Sequence, residues 1–204
     1  MTLIRRKKAA TRKPANCFMI ITAIILIRAS LSAIRYRMAA AFDKRIKRIV
    51  GWSIFPDFFD VVICDHPKPV RDAIDFMFRM GMDAPMNKLY TKMMEKEEII
   101  KWNLLHGMYA YDAETPADYV RKIRIFTLKG IADKIDQDVL IIGANKDHFI
   151  MPYLFHEEYD MLQNARSLTL RLLTDKQNAG AHCNVGNSKL VFDSIIKWIE
   201  CCTE

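Results

Sequence analysis

Two short apolar runs in the last third of the chain predict buried strands of a parallel sheet. The first, Asp138 to Ala144, reads Asp-Val-Leu-Ile-Ile-Gly-Ala, and the second runs from Ser167 to Leu173. Both are continuous rather than alternating, which is typical of strands that are covered by helices on both faces. A helical segment lies between them and a polar loop follows each one. The pattern therefore predicts part of an α/β sheet.

A similar pattern occurs in the first fifty residues. The apolar run from Cys17 to Ile27 predicts another buried strand, Ile34 to Phe42 favours a helix, and Ile46 to Ile54 predicts a further strand. Strand, sharp turn, helix and strand in this order form half of a doubly wound α/β unit. A second interpretation stays open, because the same apolar run follows a basic stretch and precedes small residues at 29–33, as in a secretory signal. The run is too short to span a bilayer as a helix.

The middle of the chain, residues 67 to 135, contains no pattern that is typical of a strand. Pro67 to Gly81 predicts a helix, and Thr115 followed by Pro116 is a typical helix start. Apolar positions at helical spacing over 187–202 predict a closing helix that packs on the sheet. We therefore predict a basic leader at 1–16, an α/β core at 17–66 and 136–204, and a helical cap at 67–135.

The charge is distributed unevenly and argues against a nucleic-acid partner. Residues 1–50 hold 13 Lys and Arg and one Asp, whereas the remaining residues hold 18 basic and 23 acidic side chains. The net charge of +7 thus describes the N-terminal stretch and not a basic surface of the body.

The five cysteines are odd in number and form no Cys-x-x-Cys pair. This favours a reduced, cytoplasmic protein. No pair of His or Cys at ligand spacing is backed by a second pair, so a zinc site is not expected. A membrane partner is not expected either, because the apolar run at 17–27 is too short to span a bilayer. Secretion is the alternative location if residues 1–33 are a signal.

The loops after the two C-terminal strands carry two residue types of a hydrolase triad. Asp147 follows the first strand and His182 follows the second. In such a triad the acid orients the imidazole, and the imidazole acts as general base for a nucleophile. We expect no metal or organic cofactor, because side chains carry this chemistry.

Four blocks of the sequence resemble the α/β-hydrolase superfamily, in the branch that includes the fermentation-respiration switch protein and the 2,6-dihydropseudooxynicotine hydrolase type. The blocks are residues 39–52 with 57–60, 102–109 with 115–119, 139–149, and 180–187. Together they cover about residues 29 to 200. The resemblance implies a partial α/β-hydrolase sheet, mostly parallel and with few strands, that carries a helical cap insertion.

The resemblance places the nucleophile elbow at residues 28–33, Arg-Ala-Ser-Leu-Ser-Ala, where the family has G-x-S-x-G-G. It implies Ser30 as nucleophile and the backbone N–H of Leu31 as an oxyanion-hole donor. Arg28, Ser32 and Ala33 stand where the family has glycine in this strained turn. Ser and Ala are small enough for it, whereas Arg28 is harder to accommodate. Only 29 residues precede Ser30, so we expect the second oxyanion donor to be missing, at a cost of about 100- to 1,000-fold in rate.

The function that the resemblance implies is that of a serine hydrolase. Its substrate is a small carbonyl compound, cleaved at an ester or at a carbon–carbon bond next to the carbonyl. Candidates for an apolar substrate pocket are Trp102, Met108, Tyr109 and Phe149. Two alternatives stay open: an inactive remnant of a truncated hydrolase, and a secreted or membrane-tethered binding protein. An elbow strand without a neighbour also leaves an unpaired edge, through which two copies can pair as a homodimer.

Overall fold

The computed structural model of the protein describes residues 1–6, 24–29, 32–53, 55–64 and 66–202. The chain divides into two compact units, of which the first comprises Met1–Asp57 and Thr127–Glu204 and the second comprises Phe58–Phe126. The second unit corresponds to the predicted helical cap, whose predicted boundaries at 67 and 135 each lie nine residues further along the chain than those of the unit. Its role as a cap stays a prediction.

The described part of the chain forms five strands and eight α-helices. In chain order they are β1 (Thr2–Arg6), β2 (Ile24–Ala29), α1 (Ser32–Phe42), β3 (Ile46–Trp52), α2 (Phe58–Ile63), α3 (Lys68–Arg79), α4 (Asp83–Lys96), α5 (Glu98–Ala110), α6 (Pro116–Ile123), β4 (Asp138–Ala144), α7 (Pro152–Met161), β5 (Ser167–Leu173) and α8 (Ser188–Cys201). Short 3-10 turns lie at Ala132–Lys134, Asp175–Gln177 and His182–Asn184.

The first unit contains one five-stranded sheet in the order β1-β5-β4-β3-β2. Strands β2, β3, β4 and β5 are parallel, and β1 pairs antiparallel with β5. The expected α/β class, with few and mostly parallel strands, is confirmed. Because the four strands are parallel, their carboxyl ends lie along one edge of the sheet. Among the described strands β2 is at the end of the sheet, which is consistent with the unpaired edge expected there. The homodimer stays a prediction.

The strand β1 was not expected, because residues 1–16 looked like a basic leader. The structure instead pairs Thr2–Arg6 with β5 along its whole length. Arg5 shows why basic residues are tolerated here: its guanidinium donates to the backbone oxygen of Leu162 at 2.8 Å and to the side chain of Gln163 at 2.8 Å. An outer strand can carry such residues because one side of it faces solvent. Residues 7–23, which include most of the predicted apolar run, lie outside the described residues.

Helices cover both faces of the sheet. On one face α8 packs against β3 and β4 in a buried cluster made by Val50, Leu140, Ile142, Leu173, Ala179, Val191, Ile195 and Trp198. On the other face Phe155 of α7 lies against Gly143, where an added Cβ would come within 2.8 Å of its ring. This close approach leaves room only for glycine at that point of β4.

A buried ion pair joins α1 to α7. The side chains of Arg37 and Glu158 form a salt bridge and are both fully buried. Arg37 also donates to the backbone oxygen of Phe55, at 2.8 Å. Burial lowers the pKa of Arg37 to about 9, because an apolar surrounding disfavours the charged form. The pair thus links the helix after β2 to the helix after β4.

The second unit consists of helices α2 to α6. The hydroxyl of Thr115 accepts the backbone N–H of Asp118 at 3.2 Å, so the predicted cap of α6 is confirmed. Gly107 of α5 lies so close to Tyr119 that an added Cβ would come within 2.3 Å of the ring. None of the described helices in either unit is long and apolar enough to cross a membrane.

Candidate active site

The loops after β4 and β5 lie side by side at the carboxyl edge of the sheet. The backbone N–H of Asn145 donates to Leu173, at 3.0 Å, and that of Lys146 donates to Gly180, at 2.9 Å. The side chain of Asn145 also accepts the N–H of Asp175, at 3.0 Å. The loop after β4, which carries Asp147, is called the acid loop, and the loop after β5, which carries His182, is called the histidine loop. Hydrogen bonds of the backbone and of side chains join the two.

Asp147 and His182 are in direct contact. The Nδ1 atom of His182 lies 3.0 Å from Oδ1 and 2.9 Å from Oδ2 of Asp147. Oδ1 also accepts the backbone N–H groups of Phe149 and Ile150, each at 2.9 Å. An ionised carboxylate only accepts hydrogen bonds, so Nδ1 of His182 carries the proton and donates it in the hydrogen bond to Asp147. Nε2 is on the opposite side of the ring from the acid.

The surroundings of His182 favour its charged form. Burial lowers the pKa of the imidazole. The hydrogen bond to Asp147, the neighbouring Cys183 side chain and the negative charge of Asp147 outweigh burial and raise the pKa of His182 to about 9. The carboxylate of Asp147 is fully buried, whereas 19% of the His182 side chain is exposed. Asp147 therefore stabilises the protonated imidazolium of His182, and the ring of His182 is partly exposed.

Two aromatic side chains from the acid loop surround the imidazole. The ring of Phe149 lies edge-on to that of His182, with centroids 5.0 Å apart, and the ring of His148 lies 6.0 Å away. His148 and Phe149 are themselves 4.2 Å apart. The ring of Phe149 is thus an apolar neighbour of the imidazole.

The backbone after His182 has an unusual conformation that the sequence reading missed. Cys183 and Asn184 have φ values of 52° and 48°, in the left-handed region. The N–H of Cys183 donates to the hydroxyl of Ser53, at 3.0 Å, and Trp52 Nε1 donates to Asn184 Oδ1, at 2.9 Å. Asparagine tolerates a left-handed φ better than most residues. The signal that could have identified Asn184 is its position in a Gly-flanked loop, two residues after His182.

The other candidate residues fall into two groups. Ser30 and Leu31 lie outside the described residues. Trp102, Met108 and Tyr109 belong to α5 of the second unit, where Met108 lines a cavity of about 330 Å³ and Tyr109 is 87% exposed. Of the four pocket candidates, Phe149 is the one that belongs to the same unit as His182.

Metal binding finds no support in the part of the chain that the structure describes. Within those residues no group of three or more His, Cys, Asp or Glu side chains is arranged to hold an ion.

Solved structures of hydrolases have the same arrangement of strands and helices. The chain matches the 2,6-dihydroxy-pseudo-oxynicotine hydrolase with a TM-score of 0.51 and 14% identity, over 81% of this chain and 36% of that one. It matches a hydrolase from Oleispira antarctica with a TM-score of 0.51 and 18% identity, over 87% and 65% of the two chains. The chain has the α/β-hydrolase fold. The resemblance inferred from the sequence is thereby confirmed at the level of the fold.

Two curated proteins that are similar to this chain are fungal hydrolases. A hydrolase from a Fusarium species is 24% identical over 167 residues, and one from Aspergillus aculeatus is 21% identical over 168 residues. These matches cover 80% and 81% of this chain. The chain spans 39% of the length of each relative. No protein-family model matches it.

Proposed function

We propose that the chain carries the active site of a serine hydrolase. In this proposal Ser30 is the nucleophile, His182 is the general base, and Asp147 holds the imidazole in the tautomer with its proton on Nδ1. The observation that carries the proposal is the contact of 2.9 Å between His182 and Asp147 at the ends of β4 and β5. A buried acid behind a partly exposed imidazole is the arrangement that acyl transfer requires.

The position of Ser30 along the chain supports its role. β2 ends at Ala29 and α1 begins at Ser32, so Ser30 and Leu31 connect a strand to a helix, as a nucleophile elbow does. β2 is parallel to β4 and separated from it only by β3. Strand β5, which precedes His182, is parallel to these strands as well, so the carboxyl ends of β2, β4 and β5 lie along the same edge of the sheet.

The reaction proceeds by two acyl transfers. Ser30 Oγ attacks the carbonyl carbon as Nε2 of His182 takes the hydroxyl proton, and the imidazolium then gives this proton to the leaving group. For an ester the leaving group is an alcohol; for a carbon–carbon bond it is a carbanion next to a second carbonyl. Water, deprotonated by the same nitrogen, then releases the acid and restores Ser30. The N–H of Leu31 is the expected donor to the oxyanion.

The substrate that we propose is a small, partly apolar carbonyl compound. Phe149, edge-on to His182, supplies an apolar wall against the reacting group. The names of the similar proteins agree with this chemistry, because they include hydrolases and an acetyl xylan esterase from a Paenibacillus species. An ester or a β-dicarbonyl compound therefore fits the proposal.

Hydrolysis of p-nitrophenyl acetate at pH 9 tests this function. The full chain should hydrolyse the ester faster than buffer alone, and Ser30→Ala and His182→Ala should each lower the enzymatic rate by about 1,000-fold or more. Ser188→Ala and His156→Ala, at sites outside the proposed triad, are matched controls that should keep the rate. A Ser30→Ala variant with the full rate would contradict the proposal, and so would a folded wild-type chain with no rate above buffer.

A further inference from the structure

The side-chain amide of Asn184, two residues after His182, makes hydrogen bonds to three residues around it. It is fully buried, with an exposed fraction of 0%. Its Nδ2 donates to the backbone oxygen of Ala179 and, at 3.4 Å, to that of Gly143. Its Oδ1 accepts the indole N–H of Trp52, at 2.9 Å. Both polar atoms of the amide are thus engaged.

These contacts join three parts of the sheet edge. Trp52 is the last residue of β3, Gly143 belongs to β4, and Ala179 lies in the loop after β5. The amide can satisfy all three partners in one orientation only, because Nδ2 must face the two carbonyl oxygens and Oδ1 must face the indole. Buried amides of this kind fix one arrangement of the backbone around them.

A second contact beside Asn184 reinforces this arrangement. The backbone N–H of Cys183 donates to the hydroxyl of the buried Ser53, at 3.0 Å, and the N–H of Ser53 donates to Ile142, at 2.7 Å. Cys183 and Ser53 both have left-handed φ values, which strain the backbone of residues that are not glycine. The surrounding hydrogen bonds offset this strain, so the end of β3 determines the path of the backbone directly after His182.

We propose that Asn184 is a positioning residue for His182, which holds the imidazole against Asp147 by tying the histidine loop to the ends of β3 and β4. The proposal rests on the proposed function as far as catalysis is concerned, because Asn184 acts through His182 and touches no reacting atom. The contact between His182 and Asp147 does not depend on Ser30. Trp52 is the donor that orients the amide, and Ser53 is an auxiliary contact.

The pKa of His182 reports this geometry without any substrate. The groups that face the imidazole are Asp147, the Cys183 side chain and the ring of His148. Of these, Asp147 favours the charged form through a hydrogen bond that is sensitive to the distance between the two side chains. When the loop shifts, this hydrogen bond weakens and the pKa falls toward the ordinary value of about 6.5.

The test is an NMR titration of His182 in the full chain and in three variants. Asn184→Gly deletes the amide and keeps a left-handed φ accessible, so it separates the hydrogen bonds from backbone strain. Asn178→Gly is the matched control, because Asn178 has a φ of 54° in the same loop and an exposed side chain. Trp52→Phe removes the indole donor and keeps a smaller aromatic ring at that position.

We expect the pKa of His182 to fall by about one unit or more in Asn184→Gly, to fall by less in Trp52→Phe, and to stay unchanged in Asn178→Gly. A purely structural role would lower the melting temperature and leave this pKa unchanged. An unchanged pKa in both folded variants would overturn the proposal, and Trp52→Phe alone decides if Asn184→Gly does not fold. Ester hydrolysis is a separate readout: its absence from the wild-type chain would overturn the hydrolase function and leave the result of the titration standing.

Discussion

His182 Nδ1 lies 2.9 Å from Oδ2 of Asp147, although 35 residues separate the two along the chain. The contact arises because β4 and β5 are parallel neighbours, so that the loops after them meet at one edge of the sheet. The carboxylate is fully buried and the ring is partly exposed. The buried carboxylate of Asp147 therefore stabilises a positive charge on His182, and the exposed part of the His182 ring is accessible to a reacting group.

The first prediction concerns the pH dependence of hydrolysis. A general base must be neutral, and the pKa of His182 is about 9, so about one molecule in a hundred holds the neutral imidazole at pH 7. The rate should therefore rise with pH and reach half of its plateau near pH 9. Rates of p-nitrophenyl acetate hydrolysis between pH 6 and 10, corrected for the buffer reaction, measure this. A plateau already reached at pH 7 would contradict it.

The same pKa predicts how stability changes with pH. The folded pKa of His182 lies above the unfolded value of about 6.5, so the protonated ring stabilises the fold fully below pH 6.5. This contribution is lost as the pH rises through about 9. The free energy of unfolding from urea titrations should therefore fall across this window in the wild-type chain and fall less in His182→Ala. Parallel pH curves for the two proteins would contradict the prediction.

The next prediction separates Cys183 from Asp147. The Cys183 side chain is one of the groups that raise the pKa of His182, after the hydrogen bond to Asp147. Replacement of Cys183 by Ala should therefore lower the pKa of His182 while Asp147 still holds it above 6.5. NMR titration measures the change, and Cys64→Ala, in the second unit, is the matched control that should have no effect. A rise in the pKa of His182 in Cys183→Ala would show that the thiol acts in the opposite sense.

A further prediction concerns the buried pair between α1 and α7. Arg37→Met should lower the free energy of unfolding by about 3–5 kcal/mol, because it leaves Glu158 buried without its partner. Arg37→Met combined with Glu158→Leu should recover most of this loss, because an apolar pair of similar size removes both charges. Urea titrations at pH 7 measure both.

The control for this pair is the exposed pair between Lys189 and Asp193 on α8. Lys189→Ala should change the free energy of unfolding by less than about 0.5 kcal/mol, because solvent screens an exposed pair. A double variant at the buried pair that is no more stable than Arg37→Met would contradict the account of the buried charges.

The sequence predicted those parts of the fold in which local pattern and tertiary context agree. The run from Ser167 to Leu173 is a strand with the predicted bounds, and Thr115 caps α6 as expected. Asp147 and His182 were identified because each follows a continuous apolar run. In these cases burial on both faces of a parallel sheet leaves a clear apolar pattern.

Other features could not be predicted, because they depend on contacts between distant parts of the chain. The basic residues in Thr2–Arg6 are not typical of a strand, and the strand that pairs with this segment lies more than 150 residues away along the chain. The role of Asn184 depends on its contacts with Trp52 and Gly143, which are distant from it along the chain. The buried position of Arg37 depends on Glu158 of another helix. The hydrophobic pattern of a helix or strand indicates which of its faces is buried, but it does not identify the element that packs against that face.

The central claim is that Ser30 is a nucleophile activated by His182, and covalent labelling tests it most directly. The folded chain is incubated with a fluorophosphonate probe at pH 9, digested, and the modified peptide is identified by mass spectrometry. The account predicts an adduct on Ser30 in the wild-type chain and no adduct in His182→Ala. A folded wild-type chain that forms no adduct on Ser30, or a Ser30 adduct that forms equally well in His182→Ala, would contradict it.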